Sequence, residues 1–270
     1  MGKFYDALSR AEKEQAARKK PTAGPGKRPI GPYVHRERYV GRVPVDNLIA
    51  RPDTLFAEQF RKIQGTVIYR NMSNPLRSIL VTSCLPGEGK TKVALNLAGA
   101  LARGLDDYAI LIDADLRKKD LTLTLGLEHA FGLSDVLVQR ATFEDALVRT
   151  EIEGLTILPA GADPPNPAEL IASNRMKGLI QQLKTRYDDS FIIIDSTPIV
   201  ATSEANALIQ MTDGVIFVIM ADKTRRDVVK RELSTINPDK ILGVVLNCAE
   251  FETSDYYHKY YNSYYGKRKR

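Results

Sequence analysis

The sequence has few of the residues that would cross-link the chain or anchor it in a membrane. Two cysteines, Cys84 and Cys248, and three histidines in 270 residues are too few for a disulfide framework or a zinc cluster. No apolar run approaches the roughly 18 residues of a membrane-spanning helix. The N-terminus also lacks the apolar stretch of a signal peptide. We therefore expect a cytoplasmic protein.

Basic residues are concentrated at the two ends of the chain. Residues 1–50 hold 11 basic and 5 acidic residues, and residues 256–270 hold 5 basic and no acidic ones. The middle, residues 51–255, holds 23 basic and 28 acidic residues. A nucleic-acid-binding core would carry a basic stripe on its folded surface, so we expect no nucleic-acid partner. The basic ends suit an anionic surface or partner, or they are solvated tails.

The chain divides by composition into four segments. They are a predicted amphipathic helix at 1–18, a flexible Pro/Gly-rich linker and extended segment at 19–53, a folded domain at 54–250, and a tyrosine-rich basic tail at 251–270. Phe4, Leu8 and Ala11 lie on one face of the first helix. That helix is either a tethered docking element or a helix without a partner.

The folded domain shows the pattern of an α/β protein. An amphipathic helix from Leu55 to about Tyr69 leads to a strand at Ser78–Ser83. Further apolar, strand-sized runs follow at Ala109–Ile112, Leu155–Leu158, Phe191–Ile194, Gly214–Met220 and Leu242–Leu246. Strands that are apolar on both faces and alternate with helical segments predict a mostly parallel central sheet covered by helices on both faces.

The segment Ser83–Thr91 has the character of a phosphate-binding loop. It follows a strand and precedes a predicted helix, and its glycines allow backbone N–H groups to surround a phosphate. In this pattern Lys90 reaches the β- and γ-phosphates and Thr91 supplies a hydroxyl to Mg²⁺. Cys84 stands where the general pattern has glycine, and the alternative is a chance Gly-rich turn. The predicted nucleotide contacts are Pro86, Gly87, Glu88, Gly89, Lys90, Thr91 and Lys92.

Three aspartates stand at the ends of predicted strands. Asp113 and Asp115 follow one apolar strand, and Asp195 ends another. The carboxyl ends of parallel strands lie at one edge of a sheet, where ligands bind. Nucleotide-bound Mg²⁺ takes one or two carboxylates in addition to phosphate oxygens. We predict Thr91, Asp115 and Asp195 as metal ligands; the alternative is that each acid caps a turn or helix.

These motifs together resemble the bacterial tyrosine kinases, the autokinases that regulate capsule and exopolysaccharide assembly. The resemblance covers about residues 54–265 and is carried by Pro86–Thr91, by Asp113-x-Asp115-x-Arg117, by Gly161 with Pro164–Leu170, and by the tyrosine-rich C-terminus. The opening residues resemble stand-alone cytoplasmic members. The resemblance implies a P-loop NTPase fold related to the partitioning ATPases, with ATP and Mg²⁺ as cofactors.

The resemblance also implies partners. Family members form rings through a Glu-x-x-Arg-x-x-Arg helix, matched here by Glu58 and Arg61, whereas Gln64 replaces the second arginine. We therefore expect a homo-oligomer that is weaker or smaller than the family ring. The resemblance further implies a separate membrane-embedded activator of the polysaccharide co-polymerase type, recruitment to the inner face of the membrane, and a cognate tyrosine phosphatase.

Half of the twelve tyrosines form three pairs near the C-terminus. They are Tyr256, Tyr257, Tyr260, Tyr261, Tyr264 and Tyr265. The four-residue step would also suit an aromatic stripe on a helix, but 256–265 contains no aliphatic residue. We predict that these tyrosines are phosphoacceptors. The last strand ends near Asn247 at the nucleotide edge, so the tail can reach its own site or a neighbour's.

Transfer of a phosphoryl group to tyrosine requires a proton acceptor, because the phenol has a pKa of about 10. Asp113 or Asp115 is the candidate, with Asp113 preferred as the base and the other acid on the metal. We expect Arg117 to order these acids or a neighbouring contact. Asn247 either approaches the nucleotide base or is a turn residue.

Two other functions fit part of the pattern. One is a nucleotide-switched ATPase of the partitioning type, but such proteins carry a lysine five residues before the phosphate-binding lysine, where this chain has Leu85. The other is a non-catalytic nucleotide-binding regulator of a membrane polysaccharide assembly protein.

Overall fold

The structure is a computed structural model that describes residues 37–104 and 108–249. The predicted N-terminal helix at 1–18, residues 19–36 of the linker and the tail at 251–270 lie outside the described residues. Predictions about those segments therefore stay predictions.

The described strands form one eight-stranded sheet in the order β1-β4-β5-β3-β6-β2-β7-β8. Neighbouring strands are parallel except β4 and β5, which are antiparallel. The strands are β1 (Arg42–Val43), β2 (Ser78–Ser83), β3 (Tyr108–Asp113), β4 (Val148–Thr150), β5 (Leu155–Leu158), β6 (Ser190–Asp195), β7 (Gly214–Met220) and β8 (Ile241–Asn247). The six strands expected from the apolar runs are confirmed to within one residue at each end, and the mostly parallel α/β class is confirmed.

Along the chain, most of the helices lie in the segments that connect the strands. They are α1 (Leu55–Ser73), α2 (Lys90–Ala102), α3 (Asp120–Thr124), α4 (Leu133–Leu137), α5 (Phe143–Ala146), α6 (Pro167–Ile171), α7 (Asn174–Arg186), α8 (Glu204–Met211) and α9 (Arg226–Leu233), with a 3₁₀ turn at Pro238–Lys240. Within the described ranges, none of these helices is both long and apolar enough to cross a membrane.

The sheet is buried on both faces because its strands alternate between two apolar layers. In β2, Ile79 and Val81 belong to the layer beneath α1 and α2, whereas Leu80 belongs to the opposite layer beneath α7 and α8. All three side chains are fully buried. Helices on both faces leave the carboxyl edge of the sheet open, and there the strand ends carry the polar residues described below.

The segment before α1 is packed, although it falls within the range 19–53 that was expected to be a flexible linker and extended segment. Val43, Val45 and Ile49 are buried, and β1 pairs with β4 at the sheet edge. Ile49 rests on Gly99 of α2, where an added Cβ would lie 2.6 Å from its Cδ1 atom. Burial of these three apolar side chains holds the segment against the domain.

Candidate nucleotide site

The phosphate-loop prediction corresponds to a tight turn between β2 and α2. Gly87 and Gly89 have φ angles of 81° and 89°, in the left-handed region that favours glycine. Gly89 has a second constraint, because an added Cβ would lie 2.1 Å from Nδ2 of Asn247. Cys84, which replaces the usual glycine, is fully buried in the core. Burial and nearby Glu88 raise the pKa of the Cys84 thiol to about 11, so it remains a neutral packing residue.

Lys90 lies at the start of α2 and points towards the aspartates of β3 and β6. Its Nζ atom is 3.3 Å from Oδ2 of Asp115, and its side chain is buried. Burial lowers the pKa of Lys90, but the carboxylates of Asp195 and Asp115 outweigh that effect and raise the pKa above its usual value. Lys90 is therefore a cation at neutral pH, as a phosphate-binding lysine must be.

Asp113 is held inside the protein. Its Oδ2 atom accepts hydrogen bonds from the backbone N–H and the hydroxyl of Thr122 at 2.9 and 2.6 Å. Its Oδ1 atom accepts one from the Asp115 N–H at 3.2 Å. Burial raises the pKa of Asp113, and these hydrogen bonds only partly offset the increase. Because both oxygens are engaged and fully buried, the preference for Asp113 as the base is not supported by this geometry.

The carboxylates of Asp195 and Asp115 fit a metal ion. Asp195 ends β6 and pairs in register with Asp113 of β3. Among the described residues, neither oxygen of Asp195 has a hydrogen-bond partner, and Oδ2 of Asp115 has only its ion pair with the Lys90 ammonium. Buried carboxylate oxygens of this kind are costly unless a cation neutralises them.

The described residues around this position offer few protein ligands to a cation. The described residues contain no group of three or more His, Cys, Asp or Glu side chains that could hold a metal by themselves. Mg²⁺ suits such a site, since it keeps waters and uses phosphate oxygens beside one or two carboxylates. Thr91, in the first turn of α2 next to Lys90, adds the predicted hydroxyl.

Arg117 pairs with a residue that the sequence analysis missed. Its Nε atom is 2.7 Å from Oε1 of Glu204, the buried first residue of α8. Burial raises the pKa of Glu204, but its hydrogen bonds, that from Arg117 first among them, together hold the pKa below its usual value. Of the two roles expected for Arg117, ordering the aspartates or ordering a neighbouring contact, this geometry favours the second. The two residues are 87 positions apart, so no local pattern could have indicated the pair.

The side chains of Glu88, Lys92 and Asn247 contact the protein around the loop. Nδ2 of Asn247 donates a hydrogen bond to the Glu88 backbone carbonyl at 2.8 Å, so Asn247 lies against the phosphate loop. The Glu88 carboxylate is buried and accepts a hydrogen bond from the Leu85 N–H at 2.6 Å. The Lys92 ammonium lies 5.3 Å from the centre of the Phe56 ring. Glu88 and Lys92 were expected to contact nucleotide, and the side chain of each contacts another part of the protein.

The segment after β5, which the sequence analysis singled out at Gly161 and Pro164–Leu170, is held in place by Lys119. The Lys119 ammonium donates to the Gly161 carbonyl at 2.7 Å and pairs with Asp163 at 2.5 Å. Gly161 has a φ of 80°, and Pro167 begins α6. Sequence analysis singled out this segment but missed Lys119, because the contact joins residues from different strand ends.

The residues expected to form an oligomer contact have partners within the chain. Arg61 pairs with Glu58 on α1 and donates a hydrogen bond to the Pro52 carbonyl at 2.8 Å. Gln64 lines a neighbouring cavity of about 310 Å³ that also borders Asn96. All of these contacts lie within one chain, so the homo-oligomer through Glu58 and Arg61 stays a prediction.

Comparison with known proteins identifies relatives of this chain. The family model described as "AAA domain" matches residues 76–238. The putative tyrosine-protein kinase CapB of Staphylococcus aureus is 32% identical over 213 residues, which are 78% of this chain and 92% of CapB. The tyrosine-protein kinase YwqD of Bacillus subtilis is 34% identical over 227 residues, which are 82% of this chain and 92% of YwqD.

Solved structures agree with these sequence relationships. The crystal structure of the chimerical protein CapA2B2 is 31% identical, has a TM-score of 0.69, and the match covers 82% of this chain and 95% of that chain. A cobyrinic acid a,c-diamide synthase from Mycobacterium smegmatis, solved with an ATP analog and magnesium, is 26% identical with a TM-score of 0.53 over 72% of this chain and 83% of that chain. The chain therefore belongs to the bacterial tyrosine-protein kinase family.

Proposed function

We propose that this protein is an ATP-dependent protein-tyrosine autokinase that phosphorylates Tyr256, Tyr257, Tyr260, Tyr261, Tyr264 and Tyr265 and thereby regulates exopolysaccharide or capsule assembly. One observation carries the proposal. Behind a glycine loop with left-handed backbone, Lys90 lies 3.3 Å from Asp115, and Asp195 is buried beside it with both oxygens unpartnered among the described residues. This arrangement supports binding of a nucleotide phosphate and a divalent cation, and membership in the kinase family supports tyrosine as the acceptor.

Each residue has a distinct part in the proposed reaction. The loop N–H groups and Lys90 hold the phosphates, while Thr91, Asp195 and, before transfer, Asp115 face the metal position. Bound Mg²⁺ supplies neutralisation of the charge that develops on the transferred group. When the phosphates bind the Lys90 ammonium, the ion pair between Lys90 and Oδ2 of Asp115 is broken, and that oxygen becomes available to accept the phenolic proton. Asp113, with both oxygens engaged, holds the Asp115 backbone in place.

The same proposal includes partners and location. We place residues 54–250 as the kinase domain, extended by the packed segment at 42–50, and 251–270 as the acceptor tail. We expect the protein to act with a separate membrane-embedded activator of the co-polymerase type and with a cognate phosphatase. We also expect it to form a homo-oligomer through Glu58 and Arg61. The basic ends support recruitment from the cytoplasm to the anionic inner face of the membrane.

Phosphotyrosine formation tests the proposal against its alternatives. The protein is expressed, purified and incubated with Mg·ATP, and phosphotyrosine is measured beside the Lys90→Met variant, which keeps the side-chain length but removes the charge. We expect phosphotyrosine on the wild type and none on the variant. ATP hydrolysis without phosphotyrosine would favour a partitioning-type ATPase, and nucleotide binding without either product would favour a non-catalytic regulator.

A further inference from the structure

The side chain of Glu88 connects the phosphate loop to the end of strand β7. It is one of the few buried carboxylates of the described residues, with 3% of its surface exposed. Its Oε2 atom accepts a hydrogen bond from the Leu85 N–H within the loop at 2.6 Å. Its Oε1 atom accepts one from the Met220 N–H at 3.2 Å and a second from the Thr224 hydroxyl. The loop is thus tied to a segment more than 130 positions away in sequence.

Thr224 belongs to the turn that joins β7 to α9. This turn contains Asp222 in left-handed backbone conformation, with a φ of 57°, and the Thr224 N–H donates to the Met220 carbonyl at 3.3 Å. Thr224 is partly buried, and its hydroxyl is the only side-chain donor recorded to the Glu88 carboxylate among the described residues. From β8, Asn247 holds the Glu88 backbone carbonyl. The loop is therefore held from the β7 and β8 side at both the main chain and the side chain of Glu88.

We propose that Thr224 is a positioning residue for nucleotide binding: its hydroxyl holds the Glu88 carboxylate, and through it keeps the loop at 85–90 in the shape that receives phosphates. This inference rests on the nucleotide site of the proposed function. A loop that is already ordered binds its ligand with a smaller loss of conformational entropy. A buried carboxylate that loses a donor is under-satisfied and favours other loop arrangements. Thr224 itself contacts Glu88 and does not need to touch ATP.

The experiment compares three variants by calorimetric titration with Mg·ATP and by thermal melting without nucleotide. Thr224→Val keeps the shape and removes the hydroxyl, whereas Thr224→Ser keeps the hydroxyl. Thr235→Val is the matched control, because the exposed Thr235 hydroxyl bonds only locally to the Glu232 carbonyl at 2.7 Å. We expect Thr224→Val to weaken ATP binding about ten-fold, as the loss of one hydrogen bond to a charged group implies. Thr224→Ser and Thr235→Val should stay within about two-fold of the wild type, with ligand-free melting temperatures close to it.

Several results would overturn the inference. Wild-type affinity in Thr224→Val would show that the hydroxyl does not position the loop. Equal weakening in the Val and Ser variants would assign the effect to packing of the methyl group. If Thr224→Val does not fold, Thr224→Ala is titrated with the same expectation. ATP binding by the wild type without phosphotyrosine would defeat the proposed kinase function and leave this test intact, whereas absence of ATP binding by the wild type would defeat both.

Discussion

Single carboxylates in this protein have opposite roles that their surroundings determine. Asp195 is buried at the carboxyl end of β6 with both oxygens unpartnered among the described residues. Asp213, before β7 at the opposite edge, accepts hydrogen bonds from the Ser78 and Arg77 N–H groups at 2.9 and 3.0 Å and pairs with Lys184 at 2.5 Å. The Asp195 carboxylate therefore lowers the stability of the ligand-free fold, whereas the Asp213 carboxylate raises it.

Neutralising these two acids should therefore have opposite effects on stability. Burial raises the pKa of Asp195 to about 8 although Lys90 is close to it, so burying this carboxyl group as an anion is unfavourable. For Asp195→Asn we therefore expect the ligand-free melting temperature to stay the same or rise while Mg²⁺-dependent phosphotyrosine formation falls severely. Asp213→Asn should lower the melting temperature and leave the site intact. Thermal melting without ligand and phosphorylation against Mg²⁺ concentration check both. Wild-type activity of Asp195→Asn at low Mg²⁺ would contradict our placement of the metal.

The pH dependence of stability gives Asp213 a second test. Burial raises the pKa of Asp213, but the hydrogen bonds from Lys184 and the β2 backbone outweigh it and hold the pKa below its usual value. A depressed folded-state pKa contributes stability that is present above the unfolded-state pKa and is lost as the pH falls through the folded-state value. Asp213→Asn should thus destabilise the protein at neutral pH and cost progressively less in acid. Denaturant titrations at several pH values measure this, and a pH-independent difference would exclude the ion pair as its cause.

At the scale of elements, the segment at 42–50 should behave as part of the domain. Ile49→Ala removes a side chain that packs on Gly99, and we expect it to lower the free energy of unfolding by about 2–5 kcal/mol. Its neighbour Leu48 has 36% of its surface exposed, so Leu48→Ala should cost no more than about 1 kcal/mol. Urea unfolding measures both. Equal and small losses would mean that the segment does not pack in solution.

The elements differ in how far the sequence predicts them. Strands such as β2 and β6 are apolar on both faces, so their runs are visible without any tertiary information. The edge strand β1 and its neighbour β4 have two and three residues, too few for a pattern, and the sequence analysis missed both. The linker prediction depended on a Pro/Gly-rich composition that ends before Val43. The buried residues beyond it are too few and too irregularly spaced to predict packing from the sequence.

Within the site, local motifs predict the loop and the strand-end acids but not the contacts that join them. Lys90, Asp115 and Asp195 come together because each follows or ends a parallel strand, which is a rule of topology. The partners Thr122, Glu204 and Thr224 come from other elements and depend on side-chain packing. For that reason the choice between Asp113 and Asp115 as the base could not be made from the sequence.

At the scale of the whole molecule, charge separates the tail from the domain. The predicted acceptor segment 256–270 has five basic residues and no acidic one, whereas 51–255 has a net charge of −5. Each phosphotyrosine adds about −1.5 to −2, so about three phosphates cancel the tail's charge. We expect phosphorylation to disperse oligomers according to the number of phosphates, and more strongly at low salt. Light scattering on variants with three Tyr→Phe changes in different combinations tests this; control by one particular tyrosine would contradict it.

The central claim is that this site transfers phosphate to the C-terminal tyrosines. The most direct measurement is peptide mass spectrometry of the protein after incubation with Mg·ATP, beside Lys90→Met and a variant with all six tail tyrosines changed to phenylalanine. The account predicts phosphate on tyrosines within 256–265 of the wild type, none on Lys90→Met, and loss of nearly all phosphotyrosine in the six-fold variant although it still binds ATP. Phosphotyrosine that persists in Lys90→Met, or that lies mainly outside the tail, would contradict it.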